Sequence, residues 1–299
     1  MKILLAVDGS EYSEGAAGFL TFLNLSPADE ITVFHVIHWS RFLYNENSYQ
    51  EALKEIKKLF VPKVLDSALE ILRPVKAKIS TAVVEGSAKQ AIIEKAAEAG
   101  MDLIVMGARG TKGIESFLLG SVTRAVAIKS AIPVLVTKLP LSARRGGMKI
   151  LFATDGSDYS VSTQEFLSSM PFPANSEITV LNVMQPVFLD MYMPLTLTPG
   201  INERFIEILE KVRASERAES GRIVDQARKY LGRRFGNIGV LSREGDPSAE
   251  ILAASEALKA DLIAVGCRGL TGIRGMMGSV SRNILSHSKC PVLIGKMCE

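Results

Sequence analysis

The sequence predicts an α/β fold of two tandem, open, parallel five-stranded sheets with helices on both faces, and three observations carry that prediction. The chain repeats itself: KILLAVDGS, from Lys2, returns as KILFATDGS, from Lys149, and DLIVMG, from Asp102, returns as DLIAVG, from Asp261. Within each copy, short runs of Val, Ile and Leu alternate with longer segments of helical period, the pattern of strands joined by crossover helices. In each copy the fourth apolar run empties into a glycine-rich loop. The 299 residues thus divide into units of about 150, an ordinary domain size. A unit of that size buries roughly 68–70% of its unfolded surface and folds without metal or disulfide staples.

The first-half strands are expected at Lys2 to Val7, Glu30 to Ile37, Lys78 to Val84, Asp102 to Met106 and Pro133 to Thr137. Between them Ser10 to Leu23 and Ser87 to Ala99 read as helices. In the latter, Ala88, Ala91, Ile92, Lys95 and Ala96 recur at spacings of three and four, the period of one helical face. A near-continuous apolar run such as Leu103 to Met106 indicates a strand buried on both sides. The second half repeats the order at Lys149 to Thr154, Glu177 to Val183, Gly239 to Arg243, Asp261 to Val265 and Pro291 to Gly295. The longest connection in each half follows the second strand, where Phe42 to Leu72 and Asn202 to Tyr230 read as long charged helices. The Met- and Pro-rich stretch Met184 to Gly200, with Met191, Tyr192 and Met193, reads as a flap or a packing surface. The breaker-rich residues 141–146 form a linker between a domain at 1–140 and a second at 147–299.

Charge is nearly balanced at +3, and Lys and Arg are dispersed along the chain, which argues against a nucleic-acid partner. No apolar run approaches the roughly 18 residues of a membrane span. The chain starts directly on a strand with no signal-peptide pattern, so a cytoplasmic location is expected. Cys267, Cys290 and Cys298 form no CxxC pair, and His35, His38 and His287 form no cluster of metal-site spacing, so neither a disulfide framework nor a protein-built metal site is expected.

The chemistry concentrates after the fourth strand. Gly107-Ala-Arg-Gly110 is followed by nine residues and then Gly120-Ser121-Val122-Thr123, where a helix begins. Glycines there let the backbone approach an anion closely and adopt positive φ. Ser121 is suited to cap the helix, leaving the N–H groups of Val122 and Thr123 facing outward. Open parallel sheets bind ligands outside the carboxyl ends of their strands, where strand order reverses. Asp8 stands at that end of the first strand, suited to accept from a ribose hydroxyl or an adenine amino group, with Val36 as an apolar wall. Taken alone, Asp8 reads as a helix-cap residue. Arg109 and Arg268, inside the loops, read equally as phosphate partners and as surface arginines. Lys129 and Lys289, placed at the ends of the helices that follow, read as complements to helix C-termini.

These residues resemble the universal stress proteins, here as a tandem pair of the nucleotide-binding type. That family's motif, G-x-x-G, nine residues, then G-[ST], is matched by Gly107, Gly110, Gly120 and Ser121. The resemblance covers nearly the whole chain, including Pro133-Val134-Leu135 and Pro291-Val292-Leu293. It implies a Rossmann-like, adenine-nucleotide alpha-hydrolase-like sheet in the order 3-2-1-4-5, binding of ATP, ADP or AMP, with Mg²⁺ accompanying a triphosphate, and a role in stress response. Carried over, it places Ala6, Val7 and Asp8 near the adenosine and Val36 against the base. Met106, Gly107, Arg109 and Gly110 line the ribose and phosphates, and Gly120, Ser121, Val122 and Thr123 hold the phosphate tail. In the second half the corresponding residues are Ala153, Thr154, Asp155, Val183, Val265, Gly266, Arg268, Gly269, Gly278, Ser279, Val280 and Ser281.

The second half departs from the motif, since eight residues separate Gly269 from Gly278. A missing residue displaces the phosphate-facing N–H groups by up to about 3.5 Å unless the loop adjusts. Three functional classes compete: a nucleotide-dependent regulatory module, a slow ATP hydrolase, and an interaction scaffold without nucleotide. No Walker or kinase motif is present, and no paired carboxylate or His stands beside the loop in sequence, so a catalytic role is not expected beyond slow hydrolysis. The two halves are expected to pack as a pseudo-twofold pair, with the last strand of each, an exposed edge in that strand order, as the contact surface. Association of two chains into a homodimer stays open.

Overall fold

The computed structural model describes residues 1–37, 51, 53–110, 119–139, 146–185, 203–269 and 277–297. The first half contains β1 (Lys2–Val7), α1 (Glu11–Leu20), β2 (Glu30–Ile37), α2 (Val61–Leu72), β3 (Lys78–Glu85), α3 (Ala88–Glu98), β4 (Leu103–Gly107), α4 (Ser121–Lys129) and β5 (Val134–Thr137). The second contains β6 (Lys149–Ala153), α5 (Asp158–Ser169), β7 (Glu177–Met184), α6 (Glu203–Leu231), β8 (Asn237–Glu244), α7 (Pro247–Leu258), β9 (Leu262–Gly266), α8 (Ser279–His287) and β10 (Val292–Gly295). Within the Phe42 to Leu72 segment, a π-helical turn, Ile56–Phe60, leads into α2. Residues 42–50 and 52 of it, most of the Met184 to Gly200 stretch with Met191, Tyr192 and Met193, nearly all of the 141–146 linker, His38 and Cys298 lie outside the described residues.

Each half has the order 3-2-1-4-5, but the two sheets are not separate. They fuse into one ten-stranded sheet, β3-β2-β1-β4-β5-β10-β9-β6-β7-β8. The seam is the contact expected of the last strands: β5 and β10 run antiparallel, with Leu293 opposite Leu135 and Val292 opposite Val136. All four side chains are fully buried, and such burial stabilises by roughly 1.5–3 kcal/mol per side chain. The seam is therefore a core.

Alternation along β1 divides its side chains between two layers. Ile3, Leu5 and Val7 join the layer packed by α1, α2, α5 and α6, while Leu4 and Ala6 join the layer packed by α3, α4, α7 and α8. Both layers are continuous across the seam. Every other strand of each half is parallel to β1 or β6, so all their carboxyl ends open at one end of that half. Strand order reverses between β1 and β4, and again between β6 and β9, and these two crevices are where the sequence placed its motifs.

Candidate functional site

In the first half, Ala6 lies opposite Met106 in the β1–β4 register, which brings Asp8 and the loop after β4 to the same crevice. Asp8 begins a tight turn. Its Oδ1 accepts from the Ser10 amide at 3.1 Å and the Ser10 hydroxyl at 2.6 Å, and Ser10 in turn caps α1 by accepting from the Ser13 amide. Gly9, between them, has φ of +79°, which makes glycine the residue of choice. Asp8 is therefore not the helix cap itself, as its residue type suggested, but holds the cap, Ser10, in place, and Oδ2 still faces the glycine loop. A Cβ on Gly110 would lie 2.3 Å from it.

The motif glycines are needed for close approach, not for positive φ as expected: Gly107, Gly110 and Gly120 are absent from the positive-φ positions. A Cβ on Gly107 would fall 2.6 Å from the Tyr12 carbonyl carbon, so α1 crosses directly over the end of β4. Gly120, not Ser121, is the N-cap of α4, and no side chain caps it. Ser121 is instead the first helical residue. The Gly120 amide donates to Ala108 O at 2.9 Å, which pins the helix start to the loop. Thr123, 3% exposed, donates its hydroxyl to Gly107 O at 2.8 Å. Its side chain therefore fastens the helix, and what remains for an anion is the first-turn N–H groups of Ser121, Val122 and Thr123, which lack acceptors within the helix. They form the positive end of the α4 dipole.

Val36 is half-buried at the end of β2 in the same layer as Ala6 and Met106, on the side expected for a base wall. Val7 points to the other layer, so only its backbone can border the crevice. His35 is buried with Val7, its Nδ1 2.8 Å from Val7 O. Arg109 is neither a plain surface arginine nor fully buried. Its guanidinium lies 5.6 Å from the Tyr12 ring centroid and donates to the Tyr12 hydroxyl at 3.4 Å.

The second half reproduces nearly every contact. Asp155 Oδ1 accepts from Ser157 N and Oγ, and a Cβ on Gly269 would lie 2.5 Å from Asp155 Oδ2. Gly278 caps α8 and its amide donates to Cys267 O at 2.8 Å. Ser281 Oγ donates to Gly266 O at 2.6 Å, and Arg268 lies over Tyr159 at 5.0 Å, donating to its hydroxyl at 2.6 Å. Ala153 and Val265 pair across β6 and β9, and Val183 is half-buried in their layer. Thr154 is spent on the fold: its hydroxyl donates to Ser160 Oγ at 3.0 Å and accepts from Gly156 N. Ser279 and Val280 open α8 as Ser121 and Val122 open α4. The displacement expected from the shorter loop is not seen at its anchors. Residues 270–276, between those anchors, lie outside the described ones.

Sequence reasoning missed Tyr12 and Tyr159, although DGSEYS and DGSDYS present a tyrosine at the same place in both copies. Of the two lysines it put at helix C-termini, one is there and one is not. Lys129 closes α4, but α8 ends at His287, and Lys289 pairs with Glu256 on the surface. The carbonyls at the ends of α8 and α4 are held instead by Lys138 and Lys296, each from the other half. Cys267 in the second loop is buried, and desolvation pushes its thiol up, the opposite of an activated thiolate. Among the described residues no group of His, Cys, Asp and Glu is placed to hold a metal ion. A cleft of about 320 Å³ lined by Phe22, Met148, Asp261 and Lys289 sits at the amino ends of β6, β9 and β10, away from the glycine loops. The loops therefore remain the candidate site.

A duplicated, doubly wound α/β protein with a glycine loop pinned beneath an uncapped helix at each switch point is the class these features define. The family model of the universal stress proteins matches residues 1–138 and again 148–296, and the chain belongs to that family. Universal stress protein YxiE of Bacillus subtilis (strain 168) is 30% identical over 147 residues, 49% of this chain and 97% of that protein. Universal stress protein MJ0531 of Methanocaldococcus jannaschii is 34% identical over 141 residues, 46% of this chain and 82% of that protein. A solved universal stress protein from Archaeoglobus fulgidus DSM 4304 aligns with 100% of this chain and 97% of its own at a TM-score of 0.64 and 22% identity, a likeness of fold. Among the described residues no helix is long and apolar enough to cross a membrane.

Proposed function

We propose that each half, residues 1–140 and 147–299, binds one adenine nucleotide between the carboxyl ends of its first and fourth strands, and that occupancy regulates the surface a stress-response partner reads in the cytoplasm. The observation that carries this reading is the repeated juxtaposition of a carboxylate, a glycine that a Cβ would drive into it, and an uncapped helix start. Asp8 and Asp155 would address ribose or adenine, and Val36 and Val183 the base. The first-turn amides of α4 and α8 would take the phosphates, each charge-assisted bond contributing about 1.5–3 kcal/mol. Mg²⁺ would accompany a triphosphate through phosphate and water oxygens. Binding needs no catalytic base.

The test is to denature the purified protein, identify any nucleotide released, and titrate the emptied protein with ATP. Intact ATP supports a binding module, and ADP or AMP points to slow hydrolysis. No nucleotide released and no response to added ATP leaves the scaffold reading. Gly120→Glu should abolish binding in the first half through bulk and like charge, and unchanged affinity there would overturn the assignment.

A further inference from the structure

Two lysines, Lys138 half-buried and Lys296 buried, cross the seam. Lys138 directly follows Thr137, whose carbonyl accepts from the Ala108 amide of the first glycine loop at 2.9 Å and whose hydroxyl donates to Met106 O at 3.3 Å. Its Nζ reaches into the second half and donates to Leu285 O at 2.8 Å and Ser286 O at 3.4 Å, in the last turn of α8. Lys296 mirrors this arrangement. It follows Gly295, whose carbonyl accepts from the Cys267 amide of the second loop at 2.9 Å, and its Nζ donates to Ala127 O at 2.8 Å and Ile128 O at 3.4 Å at the end of α4.

We infer that Lys138 and Lys296 are reciprocal positioning residues that couple the two sites, each tying the glycine loop of its own half to the helix that faces the phosphates in the other. The helices are suited to this, because each has nine residues and a helix advances about 1.5 Å per residue, short enough to move as a rod. Each lysine holds the negative end of a dipole whose positive end is the opposite site. Neither lysine is a free surface chain: Lys296 is 6% exposed, Lys138 is half-buried, and desolvation lowers the pKa of both. A shift of Ala108 or Arg109 on filling the first site would therefore pull on the end of α8. The inference rests on the nucleotide reading above.

Calorimetric titration with ATP tests it. Gly120→Glu and Gly278→Glu proteins each report one site with the other blocked, and the wild-type protein reports both. The coupling factor is the product of the two wild-type association constants divided by the product of the single-site constants. It should differ from one by about fivefold or more, the lower end of measured couplings. With Lys138→Met and Lys296→Met combined it should return to one, while Lys138→Arg with Lys296→Arg retains it. A wild-type factor of one, or an unchanged factor in the methionine protein, overturns the coupling and leaves nucleotide binding intact. Absence of binding in every protein overturns the nucleotide reading and this inference with it.

Should the methionine protein not fold, hydrogen exchange supplies the answer with both lysines in place. In Gly278→Glu, saturation with ATP should alter exchange of the Ser288 amide, which bonds Ile284 O at the end of α8. Unaltered exchange there overturns the coupling.

Discussion

Asp8 and Gly110 face each other so closely that a Cβ on Gly110 would lie 2.3 Å from Asp8 Oδ2. The atom met is the far end of a side chain, so a methyl group there displaces the carboxylate more readily than the backbone. Gly110→Ala should therefore change thermal stability little, yet lower ATP affinity in the first half about tenfold, or 1.4 kcal/mol. Calorimetry and a thermal melt on the same preparation separate the two effects. Undiminished affinity would mean that the carboxylate does not touch the ligand.

Thr123 supports the site from below through its buried bond to Gly107 O. Thr123→Val keeps the shape and removes the hydroxyl, so the expected loss is about 1–3 kcal/mol of stability. Ser281→Ala should behave alike, because Ser281 makes the same bond to Gly266 O. Denaturant unfolding of the two variants checks both, and a loss in neither would show these bonds to be incidental.

How much of this could be read beforehand divides by range. The bounds expected for β1 and β2 match because apolar runs there end abruptly at the Asp-Gly-Ser turn and at the charged Asp29-Glu30 edge. The glycine loops were legible because a close approach leaves only glycine as a solution, though positive φ was the wrong reason for Gly110. Whether Gly120 or Ser121 caps α4 turns on one ψ angle, 147° at Gly120, and both residue types suit that position. Lys138 and Lys296 were not legible: a lysine after an apolar strand looks like a surface residue, and nothing local announces carbonyls in the other half. Tyr12 and Tyr159 were legible in the repeat and went unread.

The stacking of Arg109 on Tyr12 yields a ligand-specific expectation. A cation over an aromatic ring is stabilised by roughly 0.5–2 kcal/mol, enough to hold the guanidinium in one place beside the loop. If that place serves the phosphate tail, Tyr12→Ala should weaken ATP about tenfold and AMP by less than about twofold, the wider loss amounting to roughly 1.4 kcal/mol. Dissociation constants for both nucleotides, in wild type and variant, give the comparison. Equal losses would assign the pair to folding alone.

Lys138 makes the seam sensitive to pH. Burial lowers its pKa from 10.5 to about 8, with Arg109 pushing the same way and Cys290 opposing, while Cys290 is itself raised by burial. Between about 8 and 10.5 the unfolded chain binds more protons at this position than the folded one, so stability rises with pH there. The gain is absent below about pH 8 and complete above 10.5. The groups facing Lys138 also titrate, so the wild type must be compared with Lys138→Met. Unfolding free energies at pH 7 and pH 9.5 should show the wild type gaining on the variant as pH rises. A difference that stays flat across that window would mean that the ammonium keeps its charge, held by the Leu285 and Ser286 carbonyls strongly enough to cancel its desolvation.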